Sequence, residues 1–224
     1  ATQLKADSMA LNSSVTTGGD LDILPQSADR TIGIGGPAGQ LKLDNSELGN
    51  LGLPGDSQLT IGDKANGMGR VAIGATDLTG GSYDLAVHGG PMTVNGALNG
   101  GGQVKLRART GDLRLGAGVS ASGSGDSLVM VSEKGEFINS AGAGALDTDA
   151  GRALIYSGTL TGTKLDGVRS GTRKLDASYG DKSPGDINGT GNAVLYRADA
   201  RSSVKDLGGD EKQRQIRETN DNPE

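Results

Sequence analysis

The chain's only histidine, His88, sits in Val87-His88-Gly89-Gly90. An imidazole can act as a general base or a metal ligand, but either use needs partners. One histidine cannot form a His pair, and with no cysteine there is no thiolate ligand or sulfur nucleophile. His88 therefore reads as a structural residue at the exposed end of a strand. A second candidate is Asp186-Ile187-Asn188-Gly189-Thr190-Gly191, which matches the opening of a helix-loop-helix calcium loop. Its twelfth position, where a bidentate glutamate should stand, is Arg197, a cation beside a cation site. A glycine-rich turn is the expectation here. Gly33-Ile34-Gly35-Gly36-Pro37-Ala38-Gly39 hints at a dinucleotide loop. That chemistry needs a helix N-terminus at the pyrophosphate, whereas Pro37 and the alternating Leu41 and Leu43 announce a strand.

Paired carboxylates could serve a glycosidase or polysaccharide lyase. Asp7, Asp20, Asp22 and Asp44 are scattered, mostly at turns or outward strand positions. Lys105, Arg107, Arg109 and Arg114 form the one basic stripe. Alternation puts the first three on one outward face, read as solvated in preference to a contact for an acidic glycan. No residue is assigned a catalytic, cofactor-binding or metal-binding role, and no cofactor is expected.

The elements that carry these residues are short strands. Apolar–any–apolar phrases run from end to end, among them Leu21-Asp22-Ile23, Ile32-Gly33-Ile34, Leu41-Lys42-Leu43, Leu59-Thr60-Ile61, Val71-Ala72-Ile73, Leu85-Ala86-Val87, Val104-Lys105-Leu106 and Leu113-Arg114-Leu115. This is period-2 alternation, the mark of a strand with one buried face. Each phrase is bounded by Gly, Asn, Asp or Ser, which favour turns. Ile23, Ile34, Leu43, Ile61, Ile73, Val87, Leu106 and Leu115 are predicted to point inward, and Lys42 outward. Helix is excluded almost everywhere by the density of the 40 glycines, apart from one brief turn at Asn45 to Asn50.

Composition narrows the architecture. Of 224 residues only 33% are apolar and 2% aromatic, with four Tyr, one Phe and no Trp. A wide core is therefore excluded, while a thin column of stacked aliphatic side chains is compatible. Repetition of one phrase favours a parallel β-helix over a sandwich or barrel. The expected fold is all-β: a β-solenoid over 1–158, an irregular polar cap with a final strand at Ala193-Val194-Leu195-Tyr196 over 159–200, and a charged, disordered tail over 201–224. Tyr156 and Tyr196 are predicted to cap the end of the column. The net charge of −5, from 22 basic and 27 acidic residues, gives no reason to expect a nucleic-acid partner. No apolar run approaches a membrane span, and the chain reads as a processed product or a fragment.

Two segments then carry a family resemblance. The stretch from Ala6 to Leu78, with Arg30-Thr31-Ile32-Gly33-Ile34-Gly35-Gly36 and Leu59-Thr60-Ile61-Gly62 at its centre, resembles the repeats of filamentous-haemagglutinin-type adhesins. Gly151-Arg152-Ala153-Leu154-Ile155-Tyr156-Ser157-Gly158 resembles the phrase that closes the helix in that family, and Gly189-Thr190-Gly191-Asn192-Ala193-Val194-Leu195-Tyr196-Arg197 the segment after it. The resemblance covers about Leu4 to Arg197. It implies a right-handed parallel β-helix, export by a two-partner outer-membrane transporter, and a place at the bacterial cell surface or outside it. It further implies a structural or adhesive role in a surface fibre or biofilm, with cell-surface or matrix glycans or host receptors as partners. A β-helix carbohydrate-active enzyme is the alternative, and a cluster of acids projecting from adjacent coils would mark it.

Overall fold

The structure, a computed structural model, describes residues 1–197; the predicted tail 201–224 and the last residues of the 159–200 segment lie outside the described residues. The chain opens with β1 (Thr2–Lys5), β2 (Val15–Thr16), β3 (Leu21–Leu24), β4 (Ile32–Ile34), β5 (Leu41–Leu43), helix α1 (Asn45–Gly49) and β6 (Leu51–Gly52). Next come β7 (Gln58–Ile61), β8 (Val71–Ile73), β9 (Thr76–Leu78), β10 (Asp84–Gly89), β11 (Met92–Val94), β12 (Leu98–Gly100), β13 (Val104–Ala108), β14 (Leu113–Leu115) and β15 (Val119–Ala121). It closes with β16 (Leu128–Ser132), β17 (Phe137–Asn139), β18 (Leu146–Asp147), β19 (Ala153–Ser157), β20 (Thr172–Lys174) and β21 (Ala193–Tyr196).

The fold is all-β and every strand pairing is parallel. A nine-stranded sheet has the order β1-β3-β7-β10-β13-β16-β19-β21-β20. A six-stranded sheet runs β17-β14-β11-β8-β4-β5, a four-stranded one β18-β15-β12-β9, and β2 pairs with β6. From β7 to β18 the chain visits the three larger sheets in turn. Each return lies beside the strand of the visit before. Leu59, Leu85, Val104, Leu128 and Ala153 thus share one ladder.

The alternation in the sequence explains this packing. In β5, Leu41 and Leu43 are buried while Lys42 is exposed, and β13 and β14 repeat the pattern. All eight predicted inward residues are buried at 1% exposure or less. Each stacks on its equivalents in neighbouring circuits, and each contributes roughly 1.5–3 kcal/mol by leaving water. The short helix forms where it is expected. Asp44 caps it, accepting a hydrogen bond from the Glu47 amide (3.0 Å) while its own amide donates to the Glu47 carboxylate (2.9 Å). Among the described residues, no helix is long and apolar enough to cross a membrane.

Alternation fails in β16, β19 and β21, where every residue is buried. Their inner faces join the main core. Their outer faces carry a second cluster of Val129, Val131, Leu154, Tyr156, Ala193 and Leu195. Ala177, Tyr179 and Ile187, from an excursion between β20 and β21, cover that cluster. Tyr196 faces the main core, but Tyr156 faces this outer cluster and so does not cap the column.

Candidate functional site

The outer face of the nine-stranded sheet collects most of the groups with chemical potential. His88 pairs in register with Arg107, which pairs with Val131. The histidine is buried, not exposed as the sequence suggests, and its Nδ1 has no hydrogen-bond partner among the described residues. Gly62 (φ +90°), just past β7, lets the chain pass against the His88 carbonyl, where a Cβ would collide with the oxygen. Burial, and then the nearby charges of Arg107, Lys105, Lys64 and Arg109, pull the imidazole pKa down to about 3. The ring is neutral near pH 7, and its pKa lies far from the value that suits a general base.

The basic stripe divides. Lys105 and Arg107 do project outward from β13. The Arg107 Nε donates to Glu133 Oε1 at 2.6 Å, its Nη1 donates to the Lys64 carbonyl at 3.1 Å, and its guanidinium lies 5.2 Å from the centre of the Tyr179 ring. Arg109 Nε lies 3.9 Å from Glu133 Oε2, and Arg197 donates to the Glu133 carbonyl. Arg107 is thus a bridge between circuits and the excursion, not a solvated charge. Arg114 stands on the six-stranded sheet, paired with Asp112 at 2.5 Å.

The aspartates are tied into the stack. Asp7 accepts from the amides of Gln26 (3.0 Å) and Ser27 (3.3 Å) and pairs with Arg30 (3.1 Å). Asp20 accepts from the Gln58 amide at 2.9 Å, Asp84 from Gln103 at 2.7 Å, Asp112 from Glu136 at 2.9 Å, and Asp166 from Gly142 at 3.0 Å. In each of these contacts, a carboxylate at one corner takes an amide of a neighbouring circuit. Asp44 caps the helix, and Asp22 lies in the outer ladder between Gln3 and Thr60. The candidate acids are therefore dispersed: Asp22 lies in β3 and Asp20 immediately before it, while Asp7 follows β1 and Asp44 precedes α1. Among the described residues no group of three or more His, Asp or Glu is arranged to hold a metal ion.

The calcium-like segment has a different occupant. Arg152 lies just before Ala153 at the start of β19, and its side chain is almost fully buried. Its Nε donates to Asp126 at 2.5 Å, Nη2 donates to the Ile187 carbonyl at 2.6 Å, and Nη1 donates to the Gly189 carbonyl. Asp186 accepts from the amide and hydroxyl of Ser183, both at 2.8 Å. The Asn192 side chain accepts from the Ala153 amide at 2.7 Å. A guanidinium thus holds the backbone of this segment as a turn against the start of β19. The glycine run Gly33 to Gly39 links β4 directly to β5, its partner strand, with no helix at the turn.

Arg152, Glu136 and Tyr179 were not legible as important from sequence. Glu136 accepts from Ser157 Oγ (3.0 Å), the Thr159 amide (2.9 Å) and Thr159 Oγ1 (3.0 Å), so it organises the turn after β19. The available signal was an arginine placed immediately before the unbroken apolar run Ala153-Leu154-Ile155-Tyr156. Compared with known proteins, the chain matches no family model, no curated protein and no solved structure.

Proposed function

We propose that this chain is a structural and adhesive segment of a secreted bacterial surface fibre of the filamentous-haemagglutinin type. Its circuits wind as a right-handed parallel β-helix, the hand that nearly all crossovers between parallel strands adopt. The observation that carries the reading is the use of aspartates as links between circuits. Asp20, Asp84 and Asp112 each stand just before, or at the start of, a strand and accept an amide that stands just before, or at the start of, the strand beside it. A carbohydrate-active enzyme needs acids gathered around a glycosidic bond. Here they are distributed along the stack, one to a corner, in a pattern that added circuits can continue. The phrases that resemble the adhesin family fall on β4, β5, α1 and β7 and again on β19 and β21.

The test is made on the producing bacterium. Antibody raised against this chain should label intact cells or culture medium, and deleting the two-partner transporter should abolish that labelling. Beads coated with the purified chain should adhere to cell or matrix surfaces. Labelling confined to lysed cells would sink the reading. Cleavage of a polysaccharide by the purified chain would replace it with the enzymatic alternative.

A further inference from the structure

Four Asn-Gly pairs occur in the chain: Asn66-Gly67, Asn95-Gly96, Asn99-Gly100 and Asn188-Gly189. Asparagine is chemically labile, and a following glycine has no Cβ to keep its amide nitrogen from the carboxamide. The fold restrains three of the pairs. The Gly67 amide donates to the Asp63 carbonyl at 2.9 Å, and the Asn66 carboxamide donates to the Asp63 carboxylate at 3.4 Å. The Asn95 amide donates to the Ile73 carbonyl at 2.7 Å, and a Cβ on Gly96 would collide with the Ala75 backbone in the neighbouring circuit. Asn99 accepts from Ser120 Oγ at 2.8 Å, and Gly100 is buried in its ladder between Leu78 and Ala121. Asn188-Gly189 differs. Both residues are exposed, Gly189 has φ +102°, and a Cβ built on it would meet nothing within 4 Å. Arg152 donates to the Ile187 carbonyl and to the Gly189 carbonyl, so it holds the peptide units on either side. The peptide unit between them makes no hydrogen bond among the described residues, and neither does the Asn188 carboxamide.

We propose that Asn188 is a site of spontaneous deamidation, and that the reaction undoes the hold of Arg152 on the excursion. The Gly189 nitrogen gives up its proton and bonds to the side-chain carbonyl carbon of Asn188. The side-chain nitrogen leaves as ammonia, taking up a proton, and a five-membered imide remains. Water then opens one of the two imide C–N bonds, its hydroxyl going to carbon and its proton to nitrogen. Opening at the main-chain carbonyl carbon leaves isoaspartate, in which the backbone runs through the former side chain. The reaction consumes water and releases ammonia, with no change of oxidation state. Isoaspartate adds one methylene to the main chain, about 1.5 Å of path. That length enters between the two carbonyls that Arg152 holds. The donors of a guanidinium are fixed in a planar fork, so it cannot follow both carbonyls apart. Ile187, Tyr179 and Ala177 are then less firmly held over the outer cluster.

The full chain, aged at mildly alkaline pH and then digested, is assayed for isoaspartate at each pair by peptide mass spectrometry. Isoaspartate should accumulate at Asn188 several-fold faster than at Asn66, Asn95 or Asn99. In concentrated urea the four should react at similar rates. Equal rates in the folded chain, or a faster rate at another pair, would overturn the assignment. A preference for Asn188 that persists in urea would overturn it too, since local sequence and not the fold would set it. The structural half is read by amide exchange. The aged chain should exchange several-fold faster at residues 175–192, with β10 and β13 unchanged. Freshly prepared Asn188→Asp carries the new charge without the added methylene and should exchange like the parent chain. Unaltered exchange in the aged chain, or equal acceleration in fresh Asn188→Asp, would refute loosening by extension of the backbone.

Discussion

Tyr156 and Tyr179 meet edge to face, with ring centroids 5.1 Å apart and ring planes at 87°. Tyr156 belongs to β19, while Tyr179 belongs to the excursion that leaves the stack after β20. The same Tyr179 ring lies under the Arg107 guanidinium. One side chain thus joins the excursion to two circuits. Tyr179→Ala should lower unfolding free energy by about 2 kcal/mol, from the ring pair, the cation contact and lost burial. Tyr179→Phe should retain most of that stability. Urea melts of both variants decide it, and equal losses would mean that the hydroxyl, not the ring, matters.

Arg152 offers the sharper test of the same region. Arg152→Met removes three donors and leaves the Asp126 carboxylate and two backbone carbonyls without them. Breaking a buried pair on one side costs about 3–5 kcal/mol. Protease cleavage near residues 180–190 should appear before the main thermal transition. Calcium or a chelator should leave the melting temperature of the unaltered chain unchanged; a rise with calcium would show that the guanidinium yields the carbonyls to a cation.

The strand faces are tested by a pair of substitutions. Ile73 is fully buried in β8, and Ile73→Asp places an unpaired charge in the column, at a cost of several kcal/mol. Lys42 is exposed, with Asp44 3.9 Å away, so Lys42→Ser should change stability by no more than about 0.5 kcal/mol. Similar melting temperatures for the two would mean that the assigned faces are wrong.

His88 makes stability depend on pH with a defined sign. Its folded pKa, about 3, is depressed below the ordinary 6.5. The unfolded chain therefore takes up this proton first as pH falls. Stability is unaffected above about pH 7 and declines between about 6.5 and 3, by a few kcal/mol at most. His88→Gln should abolish that component. The stability difference between wild type and His88→Gln should be flat above pH 7 and shift in favour of the variant toward pH 4. A difference independent of pH would show that the imidazole is not held neutral.

The inward faces were legible because a strand with one buried side writes its period into the sequence, as Leu41-Lys42-Leu43 does. The outer cluster was less legible. Its signal is the loss of alternation in Leu128-Val129-Met130-Val131 and Ala153-Leu154-Ile155-Tyr156, since a strand covered on both faces reads as a continuous apolar run. The aspartate links also leave a trace: Asp20-Leu21-Asp22-Ile23, Asp84-Leu85-Ala86-Val87 and Asp112-Leu113-Arg114-Leu115 share one pattern. Sequence distance hid the rest. Arg152 bonds to carbonyls 35 and 37 residues away, and no local pattern marks such a contact. Part of the depression of the His88 pKa is hidden for the same reason, because the charges of Lys64 and Arg107 reach it from other circuits.

The late insertion of β21 has a mechanical consequence. A strand at the end of a stack is held by one ladder and can be peeled away by tension. β21 has β19 on one side and β20 on the other. A pull on Arg197 loads two ladders at once, and Arg152 holds the excursion that leads into the strand. Were the proposed fibre placed under tension, β21 would resist rupture better than β20, which among the described residues has one neighbouring strand.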